Sequence, residues 1–492
     1  MVLGEAKKSN YKQTLHMRRN YLGKTCKLHY DAAPLKVVRA SKQYMYDESG
    51  TEYLDSINCC AHVGHCHPHV VQAGQEQMAK LTTCNGFLTD HQSIYAKKLI
   101  ETMPDQLCVC FFVNSGSEAN DLAIRLARAY TKKEDLIIID EAYHGNLGNT
   151  YDISPVRIKS KNPDWKKEWV HTVPCPNTYR GLYRESAANV SERYSNEVFK
   201  EIKKAASKGR QVAAFISEPL MAMAGVVNPP PNYLKQCYKH TREAGGLCIA
   251  DEILVGLGRV GEYWWAFQAH DVVPDIVTIG KPIGNGHPMA AVVTTPEIAD
   301  TLDTFASGYG GNPVSCAIGL AVLDVIRNER LLSSARSVGK CLIDGFRAIL
   351  PDHPMMGDVR GIGMVVGVEL VTDKESRKSA TEATELLIYK MKEHKILLNS
   401  EGYDKNVILL TPPLCFTCDN ARRLIQAFGT VLSEIERGTG SLPTGVGSEY
   451  IMNTGDQIRV PLSIVLGDAK IDDSEGSDGE PGDKRARYDD LD

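Results

Sequence analysis

An α/β protein with a mainly parallel sheet is the fold class this sequence predicts, and three observations predict it. Strand-like and helix-like segments alternate from about residue 44 to about residue 430, the pattern of strands joined by crossover helices. Two buried strand-like runs each end in a charged residue. Leu247-Cys248-Ile249-Ala250 leads into Asp251-Glu252, and Ile276-Val277-Thr278-Ile279 leads into Gly280-Lys281. A third run passes through Asn114-Ser115-Gly116-Ser117 directly into a helix-like stretch.

The elements follow in order. Residues 108–113 read as a buried strand, and 117–129 as a helix with Leu122, Leu126 and Ala129 on one side. Short apolar runs at 136–140, 213–217, 247–250 and 276–279 read as further core strands, because parallel strands covered on both faces are apolar throughout. Helices are expected over 320–326 and 335–349. Shorter strands at 364–370 and 407–410, with helices at 381–394 and 419–435, imply a smaller second domain. After Glu436 the composition turns to Gly, Ser, Thr and Pro, and from Asp472 to Asp, Glu, Gly and Ser. Such a segment cannot bury enough apolar surface to offset the entropy of ordering. The expected division is an arm at 1–45, a large domain at 46–330, a small domain at 331–437 and a disordered acidic tail at 438–492, with 460–466 an apolar exception.

Composition excludes several function classes. The net charge is −5, so no basic surplus points to nucleic acid. No apolar stretch approaches the roughly 18 residues of a membrane span. The 14 cysteines form no spaced framework, which implies a reduced, intracellular compartment. Lysines and arginines dominate the first 30 residues. Mitochondrial and cytoplasmic locations both stay open. The cluster Cys59, Cys60, His62, His65, Cys66, His67 and His69 is spaced more tightly than zinc sites, so no metal is expected.

Lysine and aspartate at the ends of successive core strands suit an enzyme that holds an aldehyde cofactor. Lys281 can bond covalently to the aldehyde and then act as a general base, and Asp251 can keep a pyridine nitrogen protonated. Ser115, Gly116 and Ser117 sit where a helix N-terminus offers free N–H groups to a phosphate. Tyr143, after the next strand, can stack on a planar ring. Glu218 is another acid at a strand end.

That order of motifs resembles the class III, fold type I aminotransferase family, and more closely its ethanolamine-phosphate and 5-phosphohydroxylysine phospho-lyases. The likeness spans about residues 15–436. Four stretches carry it: His62-Val63-Gly64-His65-Cys66-His67-Pro68, Thr178-Tyr179-Arg180-Gly181-Leu182-Tyr183-Arg184-Glu185, Gly284-Asn285-Gly286-His287-Pro288 and Tyr309-Gly310-Gly311-Asn312-Pro313-Val314-Ser315-Cys316-Ala317. The resemblance implies pyridoxal 5′-phosphate as cofactor, a large cofactor-binding domain, a small-molecule amine substrate, and a homodimer or homotetramer with sites at the subunit interface.

The chain departs from the family pattern around the implied pocket. Leu254 replaces a glutamine, Gly308 a threonine that reaches a neighbouring subunit's cofactor phosphate, and Met221 a glutamine. Gly86 and Leu409 replace basic residues, and Cys59-Cys60 replaces an Asn-Val pair. Polar groups become apolar or small, which implies a less anionic substrate or a weakened enzyme. With its usual basic partner gone, Glu218 is expected to turn to water or Arg259. Three functions remain in view: a phospho-lyase acting on a phosphorylated amino alcohol or amino acid, an ω-aminotransferase, and a cofactor-binding protein with little catalysis.

Overall fold

Seven strands form the central sheet of the computed structural model, which describes residues 9–158 and 166–438. In chain order they are β1 (Val109–Val113), β2 (Asp135–Ile139), β3 (Val170–Val173), β4 (Val212–Ser217), β5 (Leu247–Asp251), β6 (Ile276–Ile279) and β7 (Ala290–Thr294). Their spatial order is β1-β7-β6-β5-β4-β2-β3. Every neighbouring pair is parallel except those made by β7, which runs antiparallel to both β1 and β6.

Both faces of the sheet are covered, and the side chains show it by alternation. Leu136, Ile138, Ile216 and Ile249 join one apolar layer with Leu122 and Leu126 of the helix Gly116–Thr131. Ile137, Ile139, Phe215 and Ala250 join the other. This two-sided burial is why the strands read as continuous apolar runs. The expected strands and helices fall within a few residues of those observed, apart from the helix expected at 320–326. That helix begins earlier, at Pro313, where Asn312 caps it by accepting from the Ser315 N–H. Strands β3 and β7 were not expected. β3 mixes His171 and Thr172 into its run, and nothing local in Ala290–Thr294 announces an antiparallel partner.

The C-terminal part builds a second sheet from Met356–Ile362, Val365–Asp373, Val407–Leu410 and Asn399–Glu401, with Lys378–Ser379 pairing onto Val365–Asp373. A third sheet pairs Val37–Ser41 with Tyr44–Asp47 and then with Glu52–Asp55, whose far edge takes Ile396–Leu397 in parallel. A boundary at residue 45 therefore falls inside a paired hairpin. All described residues belong to one compact unit, and the division near 330 stands as a proposal. The acidic tail, from residue 439 on, lies outside the described residues, as does 460–466. No helix among the described residues is long and apolar enough to cross a membrane.

Cysteine usage holds one surprise. Cys341 and Cys418 are bonded and join the helices Leu331–Ile349 and Cys418–Glu436, while the other twelve cysteines are free. The pair is 77 residues apart in sequence, so spacing alone could not disclose it.

One close approach fixes how the C-terminal sheet meets its helix. A Cβ on Gly339, inside the helix Leu331–Ile349, would lie 2.1 Å from the Gly363 carbonyl oxygen. In an open helix, Gly→Ala stabilises by about 0.5–1 kcal/mol. Here Gly339→Ala is expected to lower stability by about 1–3 kcal/mol, the usual cost of overpacking. Urea unfolding measures it, and an unchanged or higher midpoint would show that the contact yields.

Candidate active site

The carboxyl edge of the sheet is where ligands of open α/β folds bind, and five strands deliver side chains there. Beyond β1 come Gly116 and Ser117, beyond β2 Tyr143, His144 and Gly145, and beyond β4 Glu218. Asp251 closes β5 and is followed by Ile253 and Leu254, and Lys281 follows β6. With Met223 these residues line one cavity of about 130 Å³. Seven of the residues expected from sequence thus meet in one place: Lys281, Asp251, Gly116, Ser117, Tyr143, Glu218 and Leu254.

Asp251 is buried and fully engaged. Its Oδ2 lies 2.7 Å from His144 Nδ1 and accepts from Asn120 Nδ2 at 2.8 Å. Its Oδ1 accepts from the Ile253 N–H at 3.1 Å. The same Asn120 amide donates to the His144 carbonyl oxygen at 2.7 Å. Neither His144 nor Asn120 was assigned a role from sequence. Their signal was position alone, since Asn120 sits one turn into the helix that Gly116 opens.

The turn after β1 is tightly fitted. A Cβ on Gly116 would lie 2.8 Å from Ile253 Cδ1, so only glycine lets the helix end come this close. Ser115 caps the helix, its hydroxyl oxygen accepting from the Glu118 N–H at 3.2 Å. Its side chain is therefore committed to the cap, and Ser115 is absent from the cavity lining. Ser117 Oγ accepts from the Asn146 N–H at 3.1 Å.

Charge around Lys281 is unusual. Burial alone would lower its pKa, but the facing Cys59, Cys60, Glu218 and Asp251 outweigh burial and raise it. A hydrogen bond from Cys60 pulls the Cys59 thiol down to about 6, with Lys281 and Arg259 helping against burial. Glu218 is pushed up to about 8, first by burial and then by the charge of Asp251. Glu218 Oε2 accepts from the Ala222 N–H at 3.2 Å, and its Oε1 has no hydrogen-bond partner. Arg259 does not serve as that partner, contrary to the expectation. Its guanidinium donates to the carbonyl oxygens of Pro412 (2.8 Å), Cys59 (3.3 Å) and Met364 (3.4 Å) and lies 3.1 Å from His62 Nδ1.

Leu254 and Leu409 belong to one apolar cluster, and Cys59 packs against it. Of these three expected pocket residues, Leu254 lines the Lys281 cavity, and Cys59 and Leu409 pack behind it in the cluster. Gly86 and Gly308 do not reach the Lys281 cavity within one chain. They line a separate cleft with Tyr309 and Gly311, beside exposed Phe87 and Leu88 (76% and 99%). The histidines of the N-terminal cluster disperse, His65 to Asp55, His67 to Glu329 and His69 to Asp324. Among the described residues no group could hold a metal ion.

The residues present fit pyridoxal 5′-phosphate. Asp251 makes no ion pair with arginine or lysine among the described residues, so a protonated ring nitrogen would supply the missing cation. The helix N-terminus at Gly116 suits the phosphate, and Lys281 is available for the aldehyde.

Residues 26–432 match the family model for aminotransferase class-III. A Drosophila melanogaster protein named alanine--glyoxylate aminotransferase 2-like is 45% identical over 431 residues, covering 86% of this chain and 87% of that protein. Ethanolamine-phosphate phospho-lyase homolog 1 of Caenorhabditis elegans is 39% identical over 441 residues, covering 86% and 94%. A solved phospholyase from Arthrobacter, in complex with phosphoethanolamine, superposes with a TM-score of 0.81 at 33% identity, covering 85% of this chain and 99% of that one.

The Asp251 network separates charge from hydrogen bonding. Asp251→Ala is expected to strip His144 and Asn120 of their acceptor, lowering stability by about 1–3 kcal/mol, and to abolish cofactor retention. Asp251→Asn keeps one acceptor oxygen but sets its amide N–H against the Ile253 N–H or the Asn120 and His144 donors, so it should lose less stability than Asp251→Ala while turnover collapses. Denaturation midpoints and the visible absorbance retained after gel filtration measure both. Full activity in Asp251→Asn would remove Asp251 from this role.

Proposed function

Because the chain belongs to the class-III aminotransferase family, we propose that it is a phospho-lyase that releases phosphate from a phosphorylated amino alcohol or amino acid. The fold is fold type I, the protein is a pyridoxal 5′-phosphate-dependent enzyme, and the resemblance drawn from its motifs holds. The specific reaction is our reading.

Bound pyridoxal 5′-phosphate supplies an electron sink that acidifies the carbon beside the substrate amine. Lys281 would hold that group by its aldehyde, and Nζ would serve as the base for the proton on that carbon. Asp251 would partner the ring nitrogen, with His144 and Asn120 keeping its carboxylate oriented. Gly116 and Ser117 would receive the phosphate at the helix end, and Tyr143 would flank the ring. Ile253, Leu254 and Met223 supply the apolar part of the cavity lining.

The relatives carry the choice of reaction: the Caenorhabditis elegans phospho-lyase homolog and the Arthrobacter phospholyase both align over most of this chain. No arginine lines the cavity, where Lys281 is the cation that faces Glu218, and this counts equally against a keto-acid carboxylate and a substrate phosphate. A lyase needs no second substrate. The ω-aminotransferase reading keeps support from the name of the Drosophila relative. A homodimer or homotetramer also belongs to this proposal, supported by the exposed Phe87, Leu88 and Tyr309 around Gly86 and Gly308. So does an intracellular setting, mitochondrial or cytoplasmic.

The cofactor-loaded protein is expected to release inorganic phosphate from phosphoethanolamine or 5-phosphohydroxylysine with no keto acid present, and Lys281→Ala to release none. Amino-acid formation that requires a keto acid would transfer the conclusion to the aminotransferase. Turnover surviving in Lys281→Ala would refute the assignment of the base.

A further inference from the structure

Glu218 follows β4 and lines the same cavity as Lys281. It is 5% exposed. One carboxyl oxygen accepts from the Ala222 N–H, and the Tyr143 backbone N–H also favours the ionised form, while Oε1 is buried without a well-formed hydrogen bond. An ionised carboxylate with an unsatisfied oxygen is costly in such a place. No arginine is bonded to it: the Arg259 amino groups donate to three carbonyl groups and lie against His62. Leu409, where the family pattern has a basic residue, is apolar and buried. The charged and titratable groups that face Glu218 are Asp251 from β5, Lys281 from β6 and Cys175 from the segment after β3. Cys175 is held as a neutral thiol by burial. His270, bonded to the Pro219 carbonyl, is also kept neutral by burial. Asp251 and burial together outweigh Lys281, and the carboxyl ionises only near about 8. At neutral pH Glu218 is therefore mostly a hydrogen-bond donor.

The proposed reaction needs such a donor. Breaking the carbon–oxygen bond of a dianionic phosphate ester expels phosphate as a trianion, a strongly basic leaving group, unless a proton reaches the departing oxygen. An ionised acid in the cavity would also repel the phosphate, whereas an un-ionised one attracts it.

Resting on the phospho-lyase reading, we infer that Glu218 is the proton donor to the departing phosphate oxygen, acting opposite the base Lys281. Lys281 Nζ accepts the proton from the carbon beside the amine. The bond from the next carbon to the ester oxygen breaks, and its electron pair leaves with the phosphate. The Glu218 O–H bond breaks as an O–H bond forms on that oxygen, so phosphate departs as the dianion. The Glu218 carboxylate then takes a proton from water.

The experiment compares wild type with Glu218→Gln and Glu218→Asp. In the cofactor-free protein, the infrared difference spectrum between wild type and Glu218→Gln isolates the Glu218 carboxyl from Glu252, which burial also raises to about 8. A carbonyl band of an un-ionised acid, lost as pH rises through about 8, is expected. In the loaded enzyme, kcat for phosphate release from phosphoethanolamine is expected to fall above about pH 8 in wild type. Glu218→Gln should lower kcat about 10²–10⁴-fold without that alkaline fall, while retaining the absorbance of bound cofactor. Glu218→Asp should recover part of the rate. A substrate amine with chloride in place of phosphate needs no proton on its leaving group, so Glu218→Gln should process it at nearly the wild-type rate. Equal loss on both substrates, or an unchanged phosphate rate in Glu218→Gln, overturns the inference while leaving the phospho-lyase intact. No phosphate release by wild type overturns the phospho-lyase reading and this role with it.

Discussion

The buried carboxylate of Asp251 ties together three elements that are distant in sequence. It closes β5, takes a hydrogen bond from Asn120 on the helix after β1, and meets His144 in the loop after β2. None of these elements could shift without leaving a polar atom unsatisfied in a dry interior. The cavity is placed by the same contacts. Asn120 sits one turn beyond Gly116, so the phosphate-type helix end and the acid keep a fixed separation. Ile253, whose N–H donates to Asp251, packs its side chain against Gly116. The acid thereby aligns the turn that would receive the cofactor phosphate.

Holding charge at this edge requires management, and the three neighbouring acids are handled differently. Asp251 receives three hydrogen bonds. Glu252 turns away from the cavity and accepts from the N–H groups of Ala266 and Phe267, at 3.0 and 2.8 Å. Glu218 takes the Ala222 N–H and the influence of the Tyr143 N–H, which burial outweighs. Burial drives both glutamates toward the un-ionised form, which limits the negative charge that Lys281 alone must balance. Two acids at strand ends could look equivalent in sequence, yet their environments assign them different chemistry.

Much of this was legible in the sequence because parallel strands buried on both faces leave long apolar runs with sharp ends. The charged residue at such an end, Asp251 or Lys281, is conspicuous against that background. Less visible was whatever depends on which side chains face each other. His144 and Asn120 lie inside stretches singled out for other reasons, and only the fold turns them toward Asp251. Likewise, β7 is a run of four apolar residues and a threonine whose reversed direction its own sequence does not announce. The Cys341–Cys418 bond joins two helices whose sequence positions say nothing of their contact. Gly86 and Gly308 were placed at the pocket by family pattern, and within one chain they meet each other instead.

The departures around the pocket are physically coupled. Cys59, Leu254 and Leu409 share one apolar cluster, so replacing any polar member changes the solvation of the rest. Of the three, Leu254 lines the Lys281 cavity itself, and a polar side chain there would have to be desolvated against its apolar neighbours. Glu218 lies in the same cavity, where burial first and the charge of Asp251 next push it toward the un-ionised form. The cavity therefore limits its negative charge by burial, not by pairing Glu218 with an arginine.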